Sequence, residues 1–162
     1  MIIQEADLFK DLSQPTMNEI SKIMVEEYHP KGSLLFKAGD PSTSFYLIVE
    51  GTVVLSIGAA GGIDYTANRP GEAFGWTGMV DRPAYVATAE CVTPTKVIRI
   101  SKEGLNRILE RDTASGMIFF KRLAGAVVQR LIDNYSTFLS AGSLSGVTYG
   151  SGQVIKIGRA HV

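Results

Sequence analysis

At 162 residues the chain has the length of one domain and can bury a substantial core. Lysine plus arginine number 16 and aspartate plus glutamate 16, so no net field draws it to nucleic acid or to an acidic membrane. The single cysteine, Cys91, excludes an intramolecular disulfide, and no apolar run is long enough to span a bilayer; a soluble cytoplasmic protein is expected.

Leu8, Phe9 and Leu12 form a small apolar knot ahead of Ser13, a predicted helix N-cap with Pro15 in the first turn. Met17, Ile20, Ile23 and Met24 then recur at helical spacing. The turn His29-Pro30-Lys31-Gly32 ends that pattern, and His29 is read as a solvated turn residue. Short β-branched or aromatic runs follow at 34–36, 45–49, 53–57, 65–67, 85–91 and 97–100, separated by glycine- and proline-bearing turns. That alternation predicts an antiparallel jelly roll or double-stranded β-barrel over about residues 25–100. Cys91 alternates with apolar strand residues and is expected to be a small core residue.

Ser101 is a good N-cap, and two helices are predicted over about 102–139. The longer, from about Thr113 to Leu139, carries a seam of Met117, Phe120, Ala124, Val127, Leu131, Asn134 and Phe138 at steps of three and four. Phe119, Leu123 and Ala126 make a second line. The seam packs either on the chain's own roll or on a second copy, and two stripes allow both; a homodimer is the expectation. Residues 1–139 are therefore expected to be the domain, and 140–162 a Gly/Ser-rich tail. Residues 157–162, IGRAHV, match the translation of ATC GGA AGA GCA CAC GTC, a stretch of a common short-read sequencing adapter, and are expected to be an assembly artefact.

The stretch Pro70 to Cys91 has the layout of a ligand cradle: strand end, glycine, one helical turn, loop, strand. Gly75 and Gly78 permit close backbone approach, and the short helix after Gly75 presents backbone N–H groups that favour an anion. The candidate ligand-binding residues are Phe74, Gly75, Trp76, Thr77, Gly78, Tyr85, Val86, Ala87 and Thr88, with Arg82 as a further anion contact.

The ordered segments LFKDLS at 8–13, YHPKGSLLFKAGDPSTSFYLIVEGTVVLSI at 28–57, PGEAFGW at 70–76 and YVATAEC at 85–91 resemble the cyclic-nucleotide-binding domain family. The resemblance implies an eight-stranded roll with a short internal helix, flanked by an N-terminal helical segment and two C-terminal helices. It also implies a cassette of Phe-Gly-Glu with an arginine about nine residues on, the glutamate for the ribose hydroxyl and the arginine for the cyclic phosphate. Here Phe74-Gly75 match, but Trp76 stands at the glutamate position and Tyr85 at the arginine position. Loss of the charge-assisted pair alone removes on the order of 1.5–3 kcal/mol. The cassette is thus expected not to take cyclic AMP or cyclic GMP in the usual way. It either holds a flatter, more apolar ligand or is a packed remnant.

No catalytic group assembles, and no cofactor or metal is expected. A metal-dependent cupin would need histidine and carboxylate ligands inside the roll, which the sequence does not offer. The expected function is a non-enzymatic regulatory or ligand-sensing module in signal transduction. The alternative is a Crp/Fnr-like transcription regulator lacking its DNA-binding domain; the chain as written offers no nucleic-acid reader.

Overall fold

The structure, a computed structural model, describes residues 6–58 and 63–140; for Ile63 and residues 137–140 it describes the backbone alone. The tail expected after residue 140, including 157–162, lies outside the described residues. The chain falls into two compact units, 1–123 and 124–162. Everything described below up to Leu123 belongs to the first.

A 3-10 turn, Asp7–Phe9, precedes helix α1 (Gln14–Lys22). Eight strands follow: β1 (Met24–His29), β2 (Leu34–Phe36), β3 (Ser44–Glu50), β4 (Val53–Ile57), β5 (Ile63–Ala67), β6 (Ala73–Phe74), β7 (Thr88–Cys91) and β8 (Thr95–Ser101). A second 3-10 turn, Trp76–Val80, lies between β6 and β7, and helices α2 (Lys102–Arg111) and α3 (Thr113–Ser140) close the described chain. All strand pairs are antiparallel, in two four-stranded sheets ordered β1-β8-β3-β6 and β2-β7-β4-β5. This is the expected jelly roll with an N-terminal helical segment and C-terminal helices.

In the first sheet, β3 is buried on both faces. Tyr46, Ile48, Phe74 and Val97 point inward and meet Phe36, Val53, Leu55, Ala89 and Cys91 of the second sheet. On the other face Phe45 meets Phe9 and Phe119, with centroids 6.3 Å away in each case. Leu47, Ile98 and Ile100, the alternate residues of β3 and β8, are also buried, as are Ile20, Leu105 and Leu109 of the helices. Phe119 and Leu123, the second line read on the long helix, are buried, whereas Met117 of the first seam is 63% exposed.

Both predicted caps form. Ser101 Oγ accepts from the Gly104 N–H at 3.1 Å. Ser13 Oγ accepts from the Thr16 N–H at 3.3 Å and donates to Asp112 at 2.6 Å. Asp112 also accepts from the hydroxyls of Thr16 and Ser115, each at 2.6 Å, and from the Ser115 N–H at 3.2 Å. Ser115 Oγ in turn accepts from the Ser13 N–H at 3.0 Å. The start of α1 and the start of α3 are thus capped by one shared cluster. These hydrogen bonds, led by that from Ser115, hold the Asp112 carboxyl well below the usual range. A carboxylate depressed in this way favours folding above its unfolded pKa, and that contribution disappears as pH falls through its folded value.

Three sequence expectations need correction. Met24 does not continue α1 but opens β1, because Met24 to His29 pair along their whole length with β8. Residues 85–87 are not part of β7, which begins at Thr88; Tyr85 instead exchanges backbone hydrogen bonds with the turn at Gly39 and Asp40. His29 is not a free turn residue: it ends β1, and its Nε2 lies 3.1 Å from Glu27 Oε1.

Gly32, Gly39 and Gly51 all have positive φ, as turn positions require. They differ in surroundings. A Cβ at Gly32 meets nothing within 4 Å, but one at Gly51 would lie 2.6 Å from the Pro94 carbonyl oxygen and 2.7 Å from Thr95 Cα. Gly32→Ala should therefore lose only the backbone term, about 1–2 kcal/mol. Gly51→Ala should lose more, because the β3–β4 turn must also part from Pro94 and Thr95. Urea denaturation of the two variants checks this; equal losses would show that the close approach contributes nothing.

Candidate ligand cassette

The cassette lies where β6 leaves the first sheet. Gly75 adopts a left-handed conformation with φ of 75° and turns the chain into the 3-10 turn Trp76–Val80. Asp81, also left-handed at φ 62°, ends it, and its N–H bonds the Thr77 carbonyl. Both glycines are approached closely by the chain itself. A Cβ at Gly75 would lie 3.0 Å from the Phe36 ring, and one at Gly78 would lie 2.4 Å from the Ser42 carbonyl oxygen and 2.9 Å from Lys102 Cδ. The turn therefore seats against β2 on one side and against the start of α2 on the other.

Tyr85 decides what the cassette encloses. Its ring stacks on Phe36 with centroids 3.7 Å apart and planes 13° from parallel. Phe36 continues the stack to Tyr46 at 5.9 Å, and Tyr46 stacks on Phe74 at 5.3 Å. Tyr85 is only 5% exposed. Its hydroxyl donates to the Ser44 carbonyl at 2.5 Å and accepts from the Ser44 N–H at 3.2 Å. The phenol thus ties the loop before β7 to the first residue of β3. Four aromatic rings fill the interior beside the cassette, at the position the sequence pattern assigns to an arginine.

The other candidate residues divide clearly. Phe74 is wholly buried in the stack. Trp76 and Thr77 are partly buried, and Thr77 Oγ1 is enclosed without a hydrogen-bond partner. Ala87 packs against the inner core, and Thr88 Oγ1 accepts from the Ala38 N–H at 3.0 Å. Val86 is exposed. Arg82 is also exposed and engages its neighbours through its backbone: its N–H donates to the Thr77 carbonyl, and its own carbonyl accepts from Ser42 Oγ at 2.5 Å. Among the described residues no group of three histidine, cysteine, aspartate or glutamate side chains could hold a metal ion. No helix among them is long and apolar enough to cross a membrane.

Sequence reasoning did not identify a second polar group on the inner face. Glu27 of β1 lies opposite Val97, and Arg99 of β8 lies opposite Tyr46 of β3. Arg99 Nε donates to Glu27 Oε2 at 2.8 Å, and His29 engages the other Glu27 oxygen. Burial raises the Glu27 pKa, but hydrogen bonds from Arg99 and His29 outweigh it and leave the carboxyl below its ordinary value. The residues are 72 apart in sequence, so only strand pairing brings them together.

A model of the family described as the cyclic nucleotide-binding domain matches residues 26–112. A Geobacter metallireducens protein described as cyclic nucleotide-binding has a similar structure, with TM-score 0.71 and 26% identity, over 79% of this chain and 94% of that one. The sensor domain of the transcriptional regulator DNR of Pseudomonas aeruginosa superposes with TM-score 0.67 and 27% identity, over 80% of this chain and 89% of that one. A protein described as a potassium channel of Rhodopseudomonas palustris is 22% identical over 111 residues; the match takes in 68% of this chain but only 27% of that protein's length.

Burial pushes the Tyr85 phenol up, and it pushes the Tyr46 phenol up to about 12. A phenol with a raised folded pKa holds its proton longer when folded than when unfolded, so stability should fall as pH rises from about 10 towards 12. Ultraviolet titration should show late-ionising tyrosines whose ionisation coincides with unfolding. Tyr85→Phe should keep the stack but leave the Ser44 groups unpaired, costing about 1–3 kcal/mol in urea denaturation. An unchanged midpoint would show that the hydroxyl tie carries no stability.

Proposed function

The chain belongs to the cyclic nucleotide-binding domain family, and we propose that it is a non-enzymatic regulatory module whose cassette does not accept cyclic AMP or cyclic GMP. The observation that carries this reading is the Tyr85 ring stacked on Phe36 with its hydroxyl bonded to both backbone groups of Ser44. A cyclic phosphate is an anion, and a buried phenol offers it no charge. Admitting it would require breaking the stack and both hydrogen bonds. Trp76 leaves the ribose hydroxyl without a carboxylate acceptor. The cassette therefore acts as packed structure, and any ligand must engage surfaces that remain open.

The regulatory part of the reading rests on where the cassette sits. Gly78 lies against Lys102 at the start of α2, so a displaced cassette turn would press on the C-terminal helices. The domain, taken over 1–139, would deliver that displacement to the exposed seam of α3. Calorimetry with cyclic AMP and cyclic GMP tests the cassette directly: no one-to-one complex is expected at low micromolar ligand, and a complex there would overturn the reading. The similarity to the sensor domain of a transcriptional regulator favours one second reading, a regulator whose DNA-binding part is encoded further along. Transcript sequence beyond codon 156 decides it.

Two copies pair through α3. Met117, Phe120, Val127 and Leu131 are exposed, Ala124 likewise, and Asn134 is half-buried; the Phe138 side chain lies outside the described residues. Phe119 and Leu123 already serve the roll, so the exposed stripe is left for a partner, and an apolar stripe of this kind marks association sites. Asn134 would fix the register. Leu131→Ala should weaken association by roughly 2–5 kcal/mol if the site is fully buried in the pair. Val127→Glu should give a folded monomer or an aggregate. Sedimentation of the unmodified chain as a monomer at tens of micromolar would rule the pairing out.

A further inference from the structure

We propose that Arg99, on the inner face of the roll, is an anion-binding residue that works independently of the cassette and takes a carboxylate or phosphate group at its outer guanidinium edge. The proposal rests on the reading of the domain as a ligand-responsive module and supplies the ligand chemistry that the cassette lacks.

Strand pairing gives the placement. Residues directly opposite one another in an antiparallel pair present their side chains on the same face. Val97 and Tyr46 belong to the interior core, and Arg99 lies two residues from the first and opposite the second. Arg99 therefore projects inward, with Val25 and Glu27 of β1 on the same face. This end of the inner face is open: Val25, opposite Arg99, is 44% exposed, and the Arg99 side chain is 39% exposed. Deeper in, Phe36, Tyr46, Phe74 and Tyr85 close the space with aromatic rings. The arrangement is an aromatic interior with a cation at its exposed end.

The cation is only partly satisfied. Glu27 meets Arg99 through Nε alone, at 2.8 Å, and divides its charge with His29. The two terminal nitrogens of the guanidinium meet no acceptor among the described residues. Those nitrogens form the planar fork that suits two oxygens of a carboxylate or phosphate. Glu27 then has two effects. It fixes the guanidinium in place, and it weakens the attraction for an incoming anion.

The Nε–H of Arg99, held by Glu27, is a natural reporter in nitrogen–proton correlation spectra of the unmodified protein. Acetate and inorganic phosphate are the probes, with Arg107, an exposed arginine paired with Glu103, as the internal control. The Arg99 signal should shift saturably with at least one probe while Arg107 drifts only with ionic strength; the probe that saturates first tells carboxylate from phosphate. Glu27→Gln should tighten binding by about threefold, as expected for removing one partly exposed competing charge. Arg99→Gln should abolish the saturable shifts of neighbouring signals. An Arg99 signal that does not move up to tens of millimolar, or that only drifts with Arg107, would overturn the proposal. So would Glu27→Gln weakening the binding. Cyclic AMP binding through the cassette would instead overturn the earlier reading and leave the Arg99 response standing.

Discussion

A strand with no free face constrains the rest of this domain. β3 runs from Ser44 to Ile48 without an exposed side chain, because alternate residues serve two different cores. Tyr46 and Ile48 close the roll, whereas Phe45 and Leu47 hold the helices. Side chains in both cores are close-packed, so β3 cannot shift for one without disturbing the other. The interior of the roll and the position of α1, α2 and the first turns of α3 are therefore set by one strand. Such a strand can relay a change inside the roll to the helices without a long pathway, and Tyr85 is anchored to its first residue.

The substitution at position 85 then has a mechanical reading. An arginine there would need a counter-charge, and an empty pocket would need to be lined for an anion. Tyrosine removes both needs: its ring joins Phe36, Tyr46 and Phe74, and its single polar atom is satisfied by Ser44. Aromatic pairs of this kind add about 0.5–1.5 kcal/mol beyond the area they bury. The ion pair on the inner face, Glu27 with Arg99, is kept near the rim, where water can share in solvating it.

Much of the fold was legible because turn chemistry punctuates the chain. Gly32, Gly39 and Gly51 mark turns with positive φ, Ser13 and Ser101 mark helix starts, and the runs between them read as strands. β1 was not legible for a physical reason. Its inward residues include Glu27 and His29, and its outward residues Glu26 and Tyr28 pair with Lys96, so no apolar alternation survives. Ile23 and Met24 meanwhile extend the helical period past the point where α1 stops. At the cassette, the sequence pattern located Trp76 and Tyr85 but not the direction in which Tyr85 points. Whether a tyrosine fills a pocket or lines it depends on Phe36 and Ser44, which are far away in the chain. The Glu27–Arg99 contact depends wholly on register and leaves no local trace.

The shared cap of Ser13, Thr16, Asp112 and Ser115 has a consequence for how the chain is made. Ser13 and Asp112 are 99 residues apart, so α1 emerges long before the groups that complete its start. The shared cap can therefore close only once residues 112–115 have left the ribosome. Until then Ser13 and Thr16 lack the carboxylate that their hydroxyls share in the finished fold, so the start of α1 is completed by one of the last described segments to be made.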